Sequence, residues 1–135
     1  VYTREDFPAR VKEITDGKGV PVVYDSVGKD TFMGSLDCLQ PRGLMVSFGN
    51  ASGPPDPLNV LALSQKGSLF LTRPTLGHYA PNHAAVLKVA NDLFDVVSSG
   101  AVKIEINQTY PLQDAAQAHR DLESRKTTGS TVLTV

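Results

Sequence analysis

The feature that most constrains this 135-residue chain is the regular alternation of helix and strand patterns over its first half. Helical spacing of apolar residues recurs at 7–16, at 32–39 just before the turn at 41–43, and at 58–66. Short apolar runs predict strands at 19–25, 44–48 and 68–72. This order is typical of a parallel α/β sheet with right-handed crossovers and at least three strands. Because the first run is apolar on consecutive positions, we expect that strand to be covered on both faces.

The pattern changes after residue 73. A loop with two prolines at 73–81 leads into a long helical pattern at 83–99, and 102–106 alternates apolar with charged residues. That alternation predicts a half-exposed strand. A further helix is expected at 112–124 and a terminal strand at 130–135. We therefore place a boundary between two structural roles near residue 73.

Composition argues against several classes of partner. The 13 basic and 14 acidic residues are scattered, so no stripe of positive charge is available for nucleic acid. No apolar segment approaches the ~20 residues that span a bilayer, and no signal peptide is recognisable. The single cysteine, Cys38, leaves no intrachain disulfide or Cys-rich zinc site and makes a reducing, cytoplasmic setting the expectation. The first residue is not Met, so we expect a chain processed or cut from a longer one.

The loop after the second strand reads Gly49-Asn50-Ala51-Ser52-Gly53 and could hold a ligand. It lacks the G-x-G-x-x-G spacing of a pyrophosphate turn, and two prolines follow it instead of a helix start. It also places its serine one position too late for the G-x-S-x-G turn of a hydrolase. The three histidines, at 78, 83 and 119, do not have the spacing of a metal site, so no metal is expected.

Three successive strand ends should converge at one edge of the sheet. Asp25 and Gly28 follow the first strand, 48–50 the second and 72–74 the third. The carboxyl ends of parallel strands are where open α/β sheets bind ligands. Asp25 suits a functional role and a turn-forming role equally, and both remain open at this point. The convergence itself predicts a binding crevice.

Several separated blocks of the chain closely resemble, in order, the C-terminal part of bacterial NADPH:quinone oxidoreductases. That family is the zinc-free, zeta-crystallin-like branch of the medium-chain dehydrogenase/reductase superfamily. The blocks are 22–28, 35–39, 43–50, 66–74, 110–112 and 118–119. The resemblance implies an α/β fold, with the second half of a Rossmann domain in 1–73. The Rossmann sheet is doubly wound and mainly parallel. For residues 74–135 the resemblance implies an α+β segment that returns to a GroES-like catalytic domain.

The resemblance also implies where a cofactor would lie. The matching positions are Gly28, Phe48, Gly49, Asn50, Ala51, Thr72, Arg73 and Pro74. Residues 48–51 would lie along the nicotinamide riboside of NADPH, and the backbone of 72–74 would meet the carboxamide. A small residue at 49 or 50 would leave room for the nicotinamide. Hydride would pass to a quinone without a catalytic metal, the catalytic residues stay unknown, and a homodimer would form through 68–72.

Our hypothesis is a fragment of an NADPH-dependent quinone oxidoreductase. We expect the isolated chain to be inactive, because the Gly-rich turn, the residues for the 2′-phosphate and most of the catalytic domain have no counterpart in it. One alternative is a stand-alone small α/β binding or interaction module that pairs through its exposed first strand edge. Another is a fragment of a different medium-chain reductase, such as an alcohol dehydrogenase or an enoyl reductase.

Overall fold

The computed structural model describes residues 2–135, which form two compact units. The first unit ends at Tyr79, and the second is Ala80–Val135. The boundary predicted near residue 73 concerns family roles rather than compactness, and it stays a prediction.

The first unit contains a three-stranded parallel sheet in the order β1-β2-β3. Its strands are β1 (Val20–Asp25), β2 (Leu39–Ser47) and β3 (Phe70–Thr72). Its helices are α1 (Phe7–Ile14), α2 (Phe32–Asp37), α3 (Leu61–Gln65) and α4 (Leu76–Tyr79). Val46 pairs with Tyr24 on one side and Thr72 on the other, so the strands run in register toward one carboxyl edge. The parallel α/β prediction is confirmed, whereas the short helix α4 was predicted as loop.

Helix α1 begins and ends where local chemistry requires. The Asp6 side chain accepts a hydrogen bond from the Ala9 amide at 3.1 Å, and Pro8 occupies the first turn, where its missing N–H costs nothing. Beyond the helix, Asp16 and Gly17 both adopt left-handed conformations, at φ 49° and 78°, and the Gly17 amide donates to the Lys12 carbonyl at 2.7 Å.

The core of the first unit lies between α2 and the sheet. Helix α2 packs against β1 and β2, and α1 contacts α2. The buried apolar cluster comprises Phe32, Leu36, Leu39, Met45 and Leu69. Two of these side chains, Leu36 and Met45, are fully buried.

Two predictions about the sheet were wrong. The first strand is not covered on both faces: Val23 packs against the buried core, whereas the next residue, Tyr24, is 73% exposed. The second strand begins at Leu39, before the predicted turn at 41–43. Val20 pairs with Leu39 but Val22 pairs with Leu44, so the intervening residues of β2 form a bulge.

The second unit is a helix followed by a β-α-β arrangement. Its elements are α5 (His83–Ser98), β4 (Ile106–Pro111), a 3-10 turn (Leu112–Asp114), α6 (Ala115–Glu123) and β5 (Ser130–Thr134). Strands β4 and β5 are parallel. Asn82 caps α5 by accepting a hydrogen bond from the Ala85 amide at 3.0 Å. Within residues 2–135, no helix combines the length and apolarity needed to cross a membrane.

The strand predicted at 102–106 is displaced. Pairing with β5 starts at Ile106 opposite Ser130 and ends at Pro111 opposite Thr134. The alternation at 102–106 is real, but Val102, Ile104 and Ile106 are all exposed, so the apolar positions do not define a buried face. The position of β4 follows from its partner strand, which a local pattern does not contain.

Candidate functional site

The carboxyl edge of the sheet is organised around the buried side chain of Asp25. Only 4% of this residue is exposed. Its Oδ1 accepts hydrogen bonds from the amides of Val27 and Gly28 at 2.8 and 2.9 Å. Its Oδ2 accepts from the hydroxyls of Thr31 and Ser35, both at 2.7 Å. The carboxylate therefore ties the end of β1 to the turn and to the start of α2.

The hydrogen bonds also determine the charge of Asp25. Burial acts to raise the pKa of this carboxyl, but the amide of Gly28, the hydroxyls of Ser35 and Thr31 and the amide of Val27 together hold it below its ordinary value. The side chain is thus an ionised anchor with its oxygens already engaged. Of the two roles left open for Asp25, the geometry supports the turn-forming one.

Two loops meet at this edge: the first loop, residues 26–30 after β1, and the second loop, residues 48–53 after β2. The amides of Ala51 and Ser52 donate to the carbonyls of Ser26 and Val27 at 3.1 and 2.8 Å, and the Lys29 amide donates to Gly53 at 3.0 Å. These backbone bonds make the two loops one surface.

Ser52 adds side-chain bonds to that surface. Its Oγ donates to the Val27 carbonyl at 2.8 Å and accepts from the Asp30 amide at 3.0 Å. The sequence pattern was interpreted only in terms of a nucleophilic serine, whereas in the structure Ser52 joins the two loops. Serine is common in such loop contacts, but the contact joins residues far apart in sequence, so no local signal identified it.

Glycine is required where the loops approach most closely. A Cβ on Gly49 would lie 2.3 Å from the Ser26 carbonyl oxygen. A Cβ on Gly28, whose φ is 88°, would lie 2.5 Å from the Gly53 oxygen. We expected the small residue at 49 to leave room for a cofactor. The structure gives a different reason, because the space beside its Cα is occupied by the first loop.

The third strand end joins the same surface through Arg73. Its Nη1 donates to the Ser47 carbonyl at 3.0 Å, to Ser47 Oγ at 3.3 Å and to the Gly49 carbonyl at 3.1 Å. The predicted convergence of three strand ends is therefore present in the structure.

A pocket of about 300 Å³ opens between the second and third strand ends. Its lining residues are Phe32, Ser47, Asn50, Pro54, Pro55, Leu71 and Arg73. Among the predicted cofactor positions, Phe48, Asn50, Ala51 and Arg73 are exposed, Gly49, Thr72 and Pro74 are half-buried, and Gly28 is buried. The amide of Asn50, the hydroxyl of Ser47 and the guanidinium of Arg73 are the polar side-chain groups of this mainly apolar pocket. Cofactor binding at the predicted positions stays a prediction.

Other candidate groups lie elsewhere. Cys38 is buried as predicted, and burial followed by the nearby Asp37 raises the pKa of its thiol, so it is a poor nucleophile. In the part of the chain that the structure describes, no three His, Cys, Asp or Glu side chains are grouped so that they could hold a metal ion.

Comparisons with known proteins agree on one family. A family model described as zinc-binding dehydrogenase matches residues 1–133. A quinone oxidoreductase of Pseudomonas aeruginosa is 58% identical over 132 residues, which cover 98% of this chain and 41% of that protein. A 2-haloacrylate reductase of a Burkholderia species is 49% identical over 133 residues, covering 98% of this chain and 40% of that protein.

Solved structures give the same result. The crystal structure of Escherichia coli quinone oxidoreductase complexed with NADPH matches with a TM-score of 0.91 and 51% identity. The match covers 99% of this chain and 42% of that one. The chain thus spans about two fifths of the length of the relatives it matches.

Proposed function

The chain belongs to the zinc-binding dehydrogenase family, and on that premise we propose that it is the nicotinamide-side part of an NADPH-dependent oxidoreductase that reduces quinones. The observation that carries the proposal is the joined carboxyl edge of β1, β2 and β3, with its open pocket beside Asn50 and Arg73. The 58% identity to a quinone oxidoreductase supports the choice of substrate class.

In this proposal the chain's own residues bind and orient. The second loop, with Phe48, Asn50 and Ala51 exposed, faces the nicotinamide riboside, and Thr72, Arg73 and Pro74 flank the carboxamide. Gly28 and Gly49 allow the two loops to pack closely, so that this surface keeps one shape. NADPH, when bound, supplies the hydride, and the protein contributes mainly position.

The described residues offer no site for a metal ion. The family description names zinc, but the donors within residues 2–135 do not form a cluster that fits the ion. Structural and catalytic zinc sites need three or four such side chains around one point. None of the described residues is assigned a role in holding zinc.

A chimera tests the function directly. The 132-residue stretch of the Pseudomonas aeruginosa relative that matches this chain is replaced by the chain itself. We expect the chimera to oxidise NADPH when a benzoquinone is added, followed by loss of nicotinamide absorbance. A chimera that folds, as judged by circular dichroism, yet leaves NADPH unoxidised with quinones would contradict the proposal.

Reduction of 2-haloacrylates is the second candidate, favoured by the 49% identity to a 2-haloacrylate reductase. The same chimera separates the two, because a 2-haloacrylate can replace the quinone in the assay. We expect faster oxidation of NADPH with the quinone. The opposite order would favour the second candidate.

The proposal includes weak cofactor binding by the 135-residue chain alone. The sequence has no G-x-G-x-x-G turn for the pyrophosphate, and the pocket at the carboxyl edge would contact only one end of NADPH. Titration followed by nicotinamide fluorescence should show no micromolar binding. Saturation at micromolar NADPH would overturn this part of the proposal.

Two further features belong to the same proposal. We infer a homodimer through residues 68–72, supported by the position of β3 at the other edge of the described sheet and by the exposure of Phe70. Sedimentation of the chain tests the dimer.

We also infer a cytoplasmic location, supported by the unpaired, buried Cys38. Fractionation of cells that express the chain tests this location.

A further inference from the structure

Arg73 connects two strand ends through a single nitrogen of its guanidinium. The residue follows β3, yet its Nη1 donates to the carbonyl and hydroxyl of Ser47, the last residue of β2, and to the carbonyl of Gly49 in the second loop. These contacts span the point at which β2 becomes the second loop. Hydrogen bonds from a charged donor are stronger than those between neutral groups. Arg73 therefore fixes the direction in which the second loop leaves the sheet.

The Gly49 peptide is restrained from two directions. Its carbonyl accepts from Arg73 at 3.1 Å, while its Cα packs against the backbone of Ser26 so closely that no Cβ would fit. Removing the guanidinium would leave the contact with the first loop but free the carbonyl. The peptide could then rotate, and the neighbouring Phe48 and Asn50, which are exposed, would move with it.

The guanidinium has no acidic partner among the described residues. Every hydrogen bond of its side chain goes to Ser47 or Gly49, and within residues 2–135 no carboxylate lies at ion-pair distance. An ion pair on the surface is thus not the reason for an arginine here. The planar guanidinium reaches several oxygens with fixed geometry, whereas the ammonium of a lysine is a compact point charge.

We propose that the side chain of Arg73 is a positioning residue for the nicotinamide-facing second loop and acts through the Gly49 carbonyl. This rests on the function proposed above. The loop presents Phe48, Asn50 and Ala51 at the site, and a small displacement of such a surface lowers the rate of hydride transfer by spoiling the alignment of the reacting atoms.

Hydrogen exchange of the 135-residue chain tests the positioning without cofactor. The variants are Arg73→Met, which keeps most of the length, and Arg73→Lys, which keeps the charge. Arg42→Met is the control, since Arg42 lies in the N-terminal half of β2, away from the carboxyl edge, and its side chain has no hydrogen bond among residues 2–135. In Arg73→Met we expect the Ala51 and Ser52 amides to exchange about tenfold faster, as for the loss of one charged hydrogen bond. The Val46 amide, within the sheet, should keep its rate.

Lysine should restore part of the protection, and the control should match the unaltered chain. Unchanged exchange at Ala51 and Ser52 in Arg73→Met would overturn the proposal. An equal increase at Val46 would overturn it as well, because it would indicate general destabilisation of the sheet.

The chimera supplies the kinetic readout. Arg73→Met should lower kcat about tenfold with a smaller change in KM for the quinone, Arg73→Lys should recover part of the loss, and Arg42→Met should match the parent. A change confined to KM would count against positioning. If the parent chimera itself is inactive, the function proposed above has failed, and the exchange rates of the 135-residue chain still decide the role of Arg73.

Discussion

At the scale of single residues, Gly49 and Asp25 determine the shape of the carboxyl edge by different means. Gly49 allows two backbones to touch, since any side chain there would strike Ser26. Asp25 accepts four hydrogen bonds at one buried, charged side chain. We therefore predict a separate effect on stability for a substitution at each of these two residues.

Gly49→Ala should destabilise the first unit by about 1–3 kcal/mol, because the added Cβ would force the two loops apart. Urea denaturation followed by circular dichroism measures the change. Gly77→Ala is a matched control in the same unit, since a Cβ at Gly77 meets no atom within 4 Å. Equal stability of the two variants would contradict the close packing seen at Gly49.

Asp25→Asn should cost about 2–3 kcal/mol near neutral pH, because an amide cannot accept all four hydrogen bonds and leaves buried donors unpaired. The pKa of Asp25 is lower in the folded chain than its ordinary 3.8. The ionised carboxylate therefore stabilises the fold fully at pH values above its ordinary pKa, and this stabilisation is lost as the pH falls through the lower pKa of the folded state.

The pH dependence is the sharper test of Asp25. The difference in unfolding free energy between the original chain and Asp25→Asn should shrink as the pH is lowered below about 4. Asp56→Asn serves as the control, because the Asp56 side chain is exposed and makes no hydrogen bond with any residue of 2–135. A pH-independent difference would show that the charge of Asp25 is not what stabilises the turn.

At the scale of elements, both edge strands of the first unit present apolar side chains. Tyr24 on β1 is 73% exposed and Phe70 on β3 is 58% exposed. An unpaired strand edge is available for pairing with another chain, and a lysine placed on it opposes that pairing. Since we infer a dimer through 68–72, Phe70→Lys should lower the association constant in analytical ultracentrifugation at least tenfold. Tyr24→Lys should leave it unchanged, and the reverse result would assign the contact to β1.

The elements also differ in how well the sequence predicts them. Helices α1 and α5 have strong apolar periodicity and capping residues, so their positions were predicted within a residue or two at each end. The strand β4 was placed too early because its extent depends on pairing with β5. At the site, the meeting of three strand ends followed from the alternation of elements, whereas the bonds of Ser52 and Arg73 join residues more than twenty positions apart and have no local signature.

At the scale of the whole molecule, the two units differ in the size of their cores. The first unit buries a cluster of five large apolar side chains, whereas in the second unit Ala118 is the one buried apolar residue among those described. Stability follows the apolar area removed from water. We therefore expect the free energy of unfolding of the second unit to be much smaller than that of the first.

Limited proteolysis followed by mass spectrometry tests this difference. The first cuts should fall after Tyr79, and a fragment close to residues 1–79 should persist. Leu36→Ala, which empties part of the buried cluster, should remove that resistance, with a loss of about 2–5 kcal/mol. Leu122→Ala is the control, because Leu122 is 57% exposed in the second unit. Early cutting within the sheet would contradict the expected order.

The spatial order β1-β2-β3 repeats the order of these strands along the chain. During synthesis on the ribosome, each new strand can therefore join an edge that already exists, without waiting for a segment still to be translated. Pairing between consecutive strands also keeps the segments that must close short, which lowers the entropic cost of closing them. The Arg73 contact completes this sequence of additions, since it forms only after β3 has been added to β2. The carboxyl edge would thus be the last part of the first sheet to reach its final geometry as the polypeptide emerges.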